Sequence, residues 1–163
     1  MGGTSDQSIR IGAIVEAFVG RTGGLISALR AVQDEFGFIP PETEEIAAAA
    51  FNLSRAEVKG VLSFYSDFRR KPPGCVVVRL CAAESCQAQG GRELVREISR
   101  RFALSPGKTS ASGDLTLENV YCLGLCSVGP AASVDDCLMA RAAPEAIAAA
   151  IEEKWRSQKG SRA

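Results

Sequence analysis

Apolar residues recur at helical spacing through the first part of the chain, as far as Phe68. The segment LISALRAVQDEF, which Gly37 ends, places four apolar side chains on one helical face: Leu25, Leu29, Val32 and Phe36. After a Pro-Pro turn, a second helix begins with acidic residues in its first turn, where they complement the helix dipole. A third helix opens with Ser54 and Glu57 at the spacing of a capping box. These patterns predict a bundle of short helices.

The pattern changes after RRKPPG, residues 69–74, which combines charge with two prolines and is typical of a break between domains. CVVVRL and LTLENVYCL have the apolar and alternating patterns of strands, and AASVDD predicts a short third strand. GGRELVREISRRF and APEAIAAAIEEKW have helical periodicity, whereas SPGKTSASGD predicts a loop. The order predicts an α/β fold, with an N-terminal helical domain in residues 1–70 and a small sheet with packed helices in residues 75–163.

Composition narrows the classes of function. The chain has 163 residues, a formal net charge of zero and a pI of about 6.3. It has no basic stripe interleaved with aromatic residues, which argues against a nucleic-acid partner. Its apolar runs are far shorter than the roughly 20 residues that span a bilayer, and its first residues lack the apolar stretch of a signal peptide. We therefore expect a cytoplasmic protein in a reducing compartment, without direct membrane insertion.

Six cysteines and no histidine restrict the possible chemistry. Without imidazole, Rieske centres, histidine-ligated zinc sites and histidine-dependent catalytic triads are excluded. Two cysteine pairs each follow a predicted strand: Cys81 and Cys86 with four residues between them, and Cys122 and Cys126 with three. Adjacent strands would bring both pairs to the same edge of the sheet, where four thiolates can converge on one point.

Several kinds of site could use these thiols. Disulfides are rare in reducing compartments, and a thioredoxin-type dithiol needs a C-x-x-C pair that the sequence lacks. A four-cysteine zinc site tolerates spacings of about two to four residues, so a zinc-stapled interaction module stays open. The glycine-rich loops CLGLCSVGP and CQAQGG favour an iron–sulfur cluster, because they leave room for bridging sulfides and offer backbone N–H groups to them.

Several motifs taken together resemble one known family. They are the cysteine spacing, CLGLC followed by a proline, GFIPPE, and GVLSFYSDF in the helical part. The chain resembles the thioredoxin-like 2Fe–2S subunit shared by NADH dehydrogenase (complex I), NAD-linked hydrogenases and NAD-dependent formate dehydrogenases, from about Leu25 to Trp155. SFYSDFR, PPG and CAAESCQAQG are most similar to the gamma subunit of the molybdenum-containing, NAD-dependent formate dehydrogenase.

The resemblance implies a thioredoxin-like ferredoxin domain in residues 75–163 that holds one 2Fe–2S cluster. The implied ligands are Cys81, Cys86, Cys122 and Cys126. It also implies electron transfer within an oxidoreductase complex, with no catalytic site on this chain. The implied partners are a flavoprotein subunit that binds FMN and NAD(H), and a large molybdenum-containing subunit that oxidises formate. The alternative is the equivalent subunit of complex I or of an NAD-linked hydrogenase.

The remaining cysteines and the nearby charges carry expectations of their own. Cys75 and Cys137 match no ligand position of the family, so we expect ordinary buried or semi-buried thiols there. Charged residues flank the cysteine loops in sequence. Acidic residues should oppose reduction of an anionic cluster, and basic ones should partly offset them: Glu84, Asp135, Asp136, Arg79 and Arg92.

Overall fold

A computed structural model describes the backbone of residues 3–160 and the side chains of residues 6–157. The chain divides into two compact units, the first extending to Pro72 and the second beginning at Pro73. This division falls within the predicted break at residues 69–74. The ability of each unit to fold as a separate domain stays a prediction.

In its described part, the first unit contains four helices: α1 Gly3–Glu16, α2 Gly24–Phe36, α3 Thr43–Phe51 and α4 Arg55–Phe64. The sequence patterns predict α2, α3 and α4 but do not identify α1. The apolar faces of the four helices enclose one core, which includes Ile11, Leu29 and Val58.

The predicted capping box at the start of α4 is confirmed. The Ser54 hydroxyl accepts from the Glu57 N–H at 3.2 Å, and the Glu57 carboxylate accepts from the Ser54 N–H at 2.8 Å. That backbone N–H lowers the pKa of Glu57.

The second unit is a five-stranded sheet with helices. Its strands are β1 Val76–Cys81, β2 Lys108–Thr109, β3 Leu115–Val120, β4 Ala132–Val134 and β5 Cys137–Met139. Its helices are α5 Glu84–Cys86, α6 Arg92–Phe102 and α7 Pro144–Gly160. The strand order is β2-β3-β1-β4-β5. The central neighbours β1 and β3 are parallel, and the other pairs are antiparallel. The predicted α/β class is therefore confirmed.

Two short strands were not expected from the sequence. β2 lies within SPGKTSASGD, which predicts a loop, and β5 follows the turn after β4. β2 has only two residues, both exposed, so no alternation of apolar and polar positions can reveal it. β1 is also shifted by one residue from the predicted segment, because Cys81 belongs to the strand and Cys75 does not.

The core of the second unit lies between the sheet and the two long helices. Leu94 and Ile98 of α6 and Ile147 and Ile151 of α7 are buried together with the apolar residues of the central strands. At its margin, Trp155 packs edge-on against the Phe102 ring, with 6.3 Å between ring centroids. The Trp155 indole N–H donates to the Asp114 carbonyl at 3.1 Å. Among the helices of the described residues, none has the length and apolar character needed to cross a bilayer.

This core provides a test of the fold. The change Ile98→Ala removes a fully buried side chain, so the free energy of unfolding of the second unit should fall by about 2–5 kcal/mol. Urea denaturation followed by fluorescence of Trp155, the only tryptophan of the chain, measures this unit selectively. The control is Arg101→Ala on the exposed face of α6, with an expected change within about 0.5 kcal/mol. Equal effects of the two changes would show that α6 does not pack as described.

Candidate metal centre

The parallel pairing of β1 and β3 brings the two cysteine segments together. Cys81, the last residue of β1, is in register with Val120, the last residue of β3, and Cys122 follows two residues later. Backbone hydrogen bonds continue the sheet here. The Cys81 N–H donates to the Ala131 carbonyl at 3.0 Å, and the Ala82 N–H donates to the Val120 carbonyl at 2.7 Å. The strand ends therefore meet at one edge of the sheet, as the sequence predicts.

The first pair of thiols is buried. Cys81 is 2% exposed and Cys86 is 1% exposed, and both pack with Ala131. After α5 the chain makes a wide turn over residues 87–91. At the end of this turn, the backbone of Gly91 lies close to the backbone of Cys86. A Cβ atom on Gly91 would lie 2.7 Å from the Cys86 carbonyl oxygen, so this approach requires glycine. The Gln87 side chain donates to the Ala82 carbonyl and accepts from the Arg92 Nε at 2.6 Å.

The second pair is exposed. Cys122 and Cys126 have their Sγ atoms 3.7 Å apart, and the Gly124 N–H donates to the Cys122 sulfur at 3.3 Å. Two thiolates on one tetrahedral ion, with metal–sulfur bonds of about 2.3 Å, lie about 3.8 Å apart. This pair is thus already spaced to share one metal ion. The Gly124 donor is also one of the backbone N–H groups that the glycine-rich loop predicts.

Hydrogen bonds join the two segments directly. The Ser85 hydroxyl donates to the Cys126 carbonyl at 3.0 Å, and the Gln89 amide donates to the same oxygen at 2.9 Å. Sequence reasoning missed both residues as parts of the site. Nothing in the cysteine spacing marks them, because their role depends on how two loops meet.

The thiols influence one another electrostatically. Burial raises the pKa of Cys86, a hydrogen bond with Cys81 raises it further, and the charges of Cys81 and Cys126 add to the effect. A hydrogen bond with Cys122 raises the pKa of Cys126, together with the charges of Cys122 and Cys81. The charges of Cys81, Cys86 and Cys126, which come from both cysteine segments, are therefore close enough to interact. A bound metal has to displace the thiol protons that these effects retain.

The thiols form two pairs rather than converging on a single point. Among the side chains of residues 6–157, no group of three or more metal-binding residues is arranged to hold a single ion. A four-cysteine zinc site needs all four sulfurs around one ion, whereas a two-iron cluster needs one pair of thiolates for each iron. The soft, all-sulfur donor set in two pairs fits a 2Fe–2S cluster.

The other two cysteines lie away from this site. Cys75 precedes the first residue of β1, and Cys137 pairs with Val134, which pairs with Val78. Cys75 is therefore at the opposite end of β1 from Cys81, and Cys137 lies two strands away from the middle of β1. The expectation that they are buried or semi-buried is wrong, because both are exposed.

The charged residues near the cysteines in sequence do not all lie near them in the structure. The Asp135 carboxylate accepts from the Val77 N–H at 2.9 Å, which places it at the far end of β1. Four steps along the strand lead from Val77 to Cys81, about 13 Å at about 3.3 Å per residue. Asp135 is therefore nearer to the cysteine loops in sequence than in space, and its effect on reduction of the cluster stays a prediction. Arg79 forms an ion pair with Glu118 at 3.4 Å.

Arg92 does lie on the cysteine side of the sheet. It lines an open cleft of about 450 Å³ together with Cys81, Gly91, Arg96 and Asn119. Its guanidinium is therefore the expected positive charge beside the anionic site, as the sequence suggests.

Comparison with known proteins agrees with this geometry. The profile of the thioredoxin-like [2Fe-2S] ferredoxin family matches residues 11–154. The E subunit of NADH-quinone oxidoreductase from Pseudomonas aeruginosa is 32% identical over 127 residues, which cover 78% of this chain and 76% of that protein. Its counterpart from Escherichia coli K12 gives the same values. Subunit 2 of the Thermus thermophilus enzyme is 35% identical over 117 residues, covering 72% of this chain and 65% of that protein.

Solved structures show the same fold. A crystal structure of NAD+-reducing [NiFe]-hydrogenase in the air-oxidized state superposes with a TM-score of 0.69 and 25% sequence identity. The match covers 82% of this chain but only 23% of the hydrogenase chain, so it concerns one segment of a much longer polypeptide. The profile match extends over most of the sequence, and two paired thiol groups lie at one sheet edge. The chain therefore belongs to the thioredoxin-like [2Fe-2S] ferredoxin family, whose members carry one 2Fe–2S cluster.

Proposed function

We propose that this chain is the electron-transfer subunit of a cytoplasmic, NAD-dependent formate dehydrogenase complex. Cys81, Cys86, Cys122 and Cys126 hold its single 2Fe–2S cluster. The observation that carries the proposal is the pairing of these thiols at the joined ends of β1 and β3, with 3.7 Å between the sulfurs of the exposed pair. When bound, such a cluster accepts and releases one electron at a time.

The two thiol pairs differ in burial, so one side of the site is enclosed and the other is exposed. Cys81 and Cys86 are enclosed, whereas Cys122 and Cys126 face solvent beside Tyr121, which is 77% exposed. The Cys122–Cys126 side is therefore the more exposed side of the site for a partner to contact. An exposed tyrosine at such a position is a typical contact residue of a protein–protein interface. The Gly124 N–H stabilises negative charge on the Cys122 sulfur, which favours the electron-rich state.

The role of each subunit follows from the number of electrons that it transfers in one step. Oxidation of formate or NADH as a hydride involves two electrons, and a single 2Fe–2S centre takes one. This chain therefore has no turnover of its own in the proposal. A flavoprotein subunit with FMN and the NAD(H) site converts between two-electron and one-electron steps, and a large molybdenum-containing subunit oxidises formate.

The choice of formate dehydrogenase rests on sequence motifs. SFYSDFR, PPG and CAAESCQAQG are most similar to the gamma subunit of that enzyme. The relatives described above are subunits of NADH-quinone oxidoreductase, and the structurally similar protein described above is an NAD+-reducing hydrogenase. A subunit of one of those two complexes is therefore the second candidate.

The ligand assignment predicts a clear division among the six cysteines. Changing Cys81, Cys86, Cys122 or Cys126 to serine should each abolish or strongly weaken the visible absorption of the cluster, because a serine oxygen poorly replaces a soft thiolate. The matched controls are Cys75→Ser, at the other end of β1 from Cys81, and Cys137→Ser, on β5; both should leave the spectrum unchanged. Loss of the cluster in Cys75→Ser, with retention in Cys81→Ser, would contradict the assignment.

The proposed complex predicts both a partner set and an electron donor. A tagged chain purified from its native host without oxygen should retain the flavoprotein and the molybdenum subunit. Added formate should then bleach the visible absorbance of the cluster and reduce NAD+. The chain alone should show neither formate nor NADH dehydrogenase activity, but should be reduced by NADH when the flavoprotein is present.

The same preparation separates the candidates. If hydrogen bleaches the cluster of the purified complex, the chain belongs to an NAD-linked hydrogenase and not to a formate dehydrogenase. If the complex oxidises NADH with a quinone and does not react with formate, the chain belongs to complex I. Failure of NADH to reduce the cluster, with flavoprotein binding demonstrated, would contradict the electron-transfer role itself.

A further inference from the structure

The exposed Cys126 segment is held by two polar side chains from the opposite cysteine segment. The Gln89 Nε2 donates to the Cys126 carbonyl at 2.9 Å and to the Ser85 carbonyl at 2.9 Å, and it lies 3.1 Å from the Ser85 hydroxyl. The Ser85 hydroxyl donates to the same Cys126 carbonyl at 3.0 Å. One carbonyl oxygen of the second segment thus receives two hydrogen bonds from the first.

The space for this arrangement depends on Gly129. A Cβ atom on Gly129 would lie 2.9 Å from the Gln89 Nε2, closer than carbon and nitrogen atoms pack. The backbone of Gly129, with φ −69° and ψ 173°, is one that any residue can adopt. Glycine at this position therefore leaves the space that the Gln89 amide occupies, and a Cβ atom there would displace this amide.

These contacts compensate for weak packing around the second pair. Cys122 and Cys126 are exposed, and only the partly buried Leu123 and Leu125 connect this segment to the apolar cluster of Cys81, Cys86 and Ala131. Segments with few buried apolar contacts open locally at low free-energy cost. Hydrogen bonds that cross from a well-packed segment raise that cost.

We propose that Ser85 and Gln89 form a latch on the Cys126 carbonyl, which fixes the distance between the two thiol pairs and retards the loss of the cluster. Both are positioning residues, because they contact the backbone of Cys126 and not its sulfur. This inference rests on the proposed function, since it assumes that Cys126 is a ligand. The latch also keeps the electronic environment of the cluster uniform from molecule to molecule.

The test compares two glutamines two residues apart. Gln89→Ala removes the crossing hydrogen bond, whereas Gln87→Ala removes contacts to Ala82 and Arg92 that stay within the first segment. Transfer of iron to a chelator should be roughly fivefold faster in Gln89→Ala than in the wild type, the factor expected for one lost hydrogen bond. Gln87→Ala should release iron at about the wild-type rate. The EPR signal of the reduced Gln89→Ala protein should be broadened, because the thiol pairs occupy a range of distances.

Substitutions at two further positions, Gly129 and Ser85, examine the parts of the latch. Gly129→Ala should displace the Gln89 amide and accelerate iron loss to the same extent as Gln89→Ala. The double variant should be no faster than either single one, since both remove the same contact. Ser85→Ala should accelerate iron loss, and Ser85→Thr, which keeps the hydroxyl, should restore the wild-type rate.

A measurement on the cluster-free protein separates this inference from the proposed function. Backbone hydrogen exchange in residues 122–128 should be faster in Gln89→Ala than in Gln87→Ala, with tryptophan fluorescence unchanged in both. Equal exchange in the two variants, or equal iron loss, would overturn the latch. Absence of any cluster in the wild type would instead overturn the proposed function, and the exchange measurement would still decide whether the latch exists.

Discussion

The parallel pairing of β1 with β3 is the constraint on which the candidate site depends. The register Cys81 with Val120 puts the ends of both strands at one edge of the sheet, so two cysteine segments far apart in the sequence leave the sheet side by side. The buried residues of α6 and α7 stabilise these strands from the core. Every further feature of the site, from the enclosed first pair to the hydrogen bonds on the Cys126 carbonyl, follows from that shared edge.

The arrangement of the thiols as two pairs connects the geometry to the chemistry. The Cys122–Cys126 pair is spaced to share one tetrahedral metal ion, and among the described side chains no group of three or more metal-binding residues surrounds a single ion. A 2Fe–2S cluster needs two thiolates for each of its two iron atoms, and this need is compatible with one buried pair and one exposed pair. Cys81 and Cys86 are buried, whereas Cys122 and Cys126 are exposed. In the proposed function, the exposed pair is the side from which an electron-transfer partner reaches the cluster.

Much of this could be read from the sequence, for identifiable reasons. Helical periodicity, the Ser54–Glu57 capping box and the apolar run of β1 are local signals, and the structure contains each of them. The cysteine spacing and the strands before it indicated the shared edge. Features of the site that depend on tertiary contacts could not be predicted from the sequence. Asp135 is close to the cysteines in sequence but lies at the other end of β1, and Ser85 and Gln89 acquire a role only where two loops touch.

The central claim is that the paired thiols hold a two-iron cluster, and analysis of metal and sulfide in the chain purified without oxygen tests it most directly. The account predicts about two iron atoms and about two acid-labile sulfides per chain, with an EPR signal that appears on reduction. About one zinc ion per chain, without sulfide and without colour, would contradict the account.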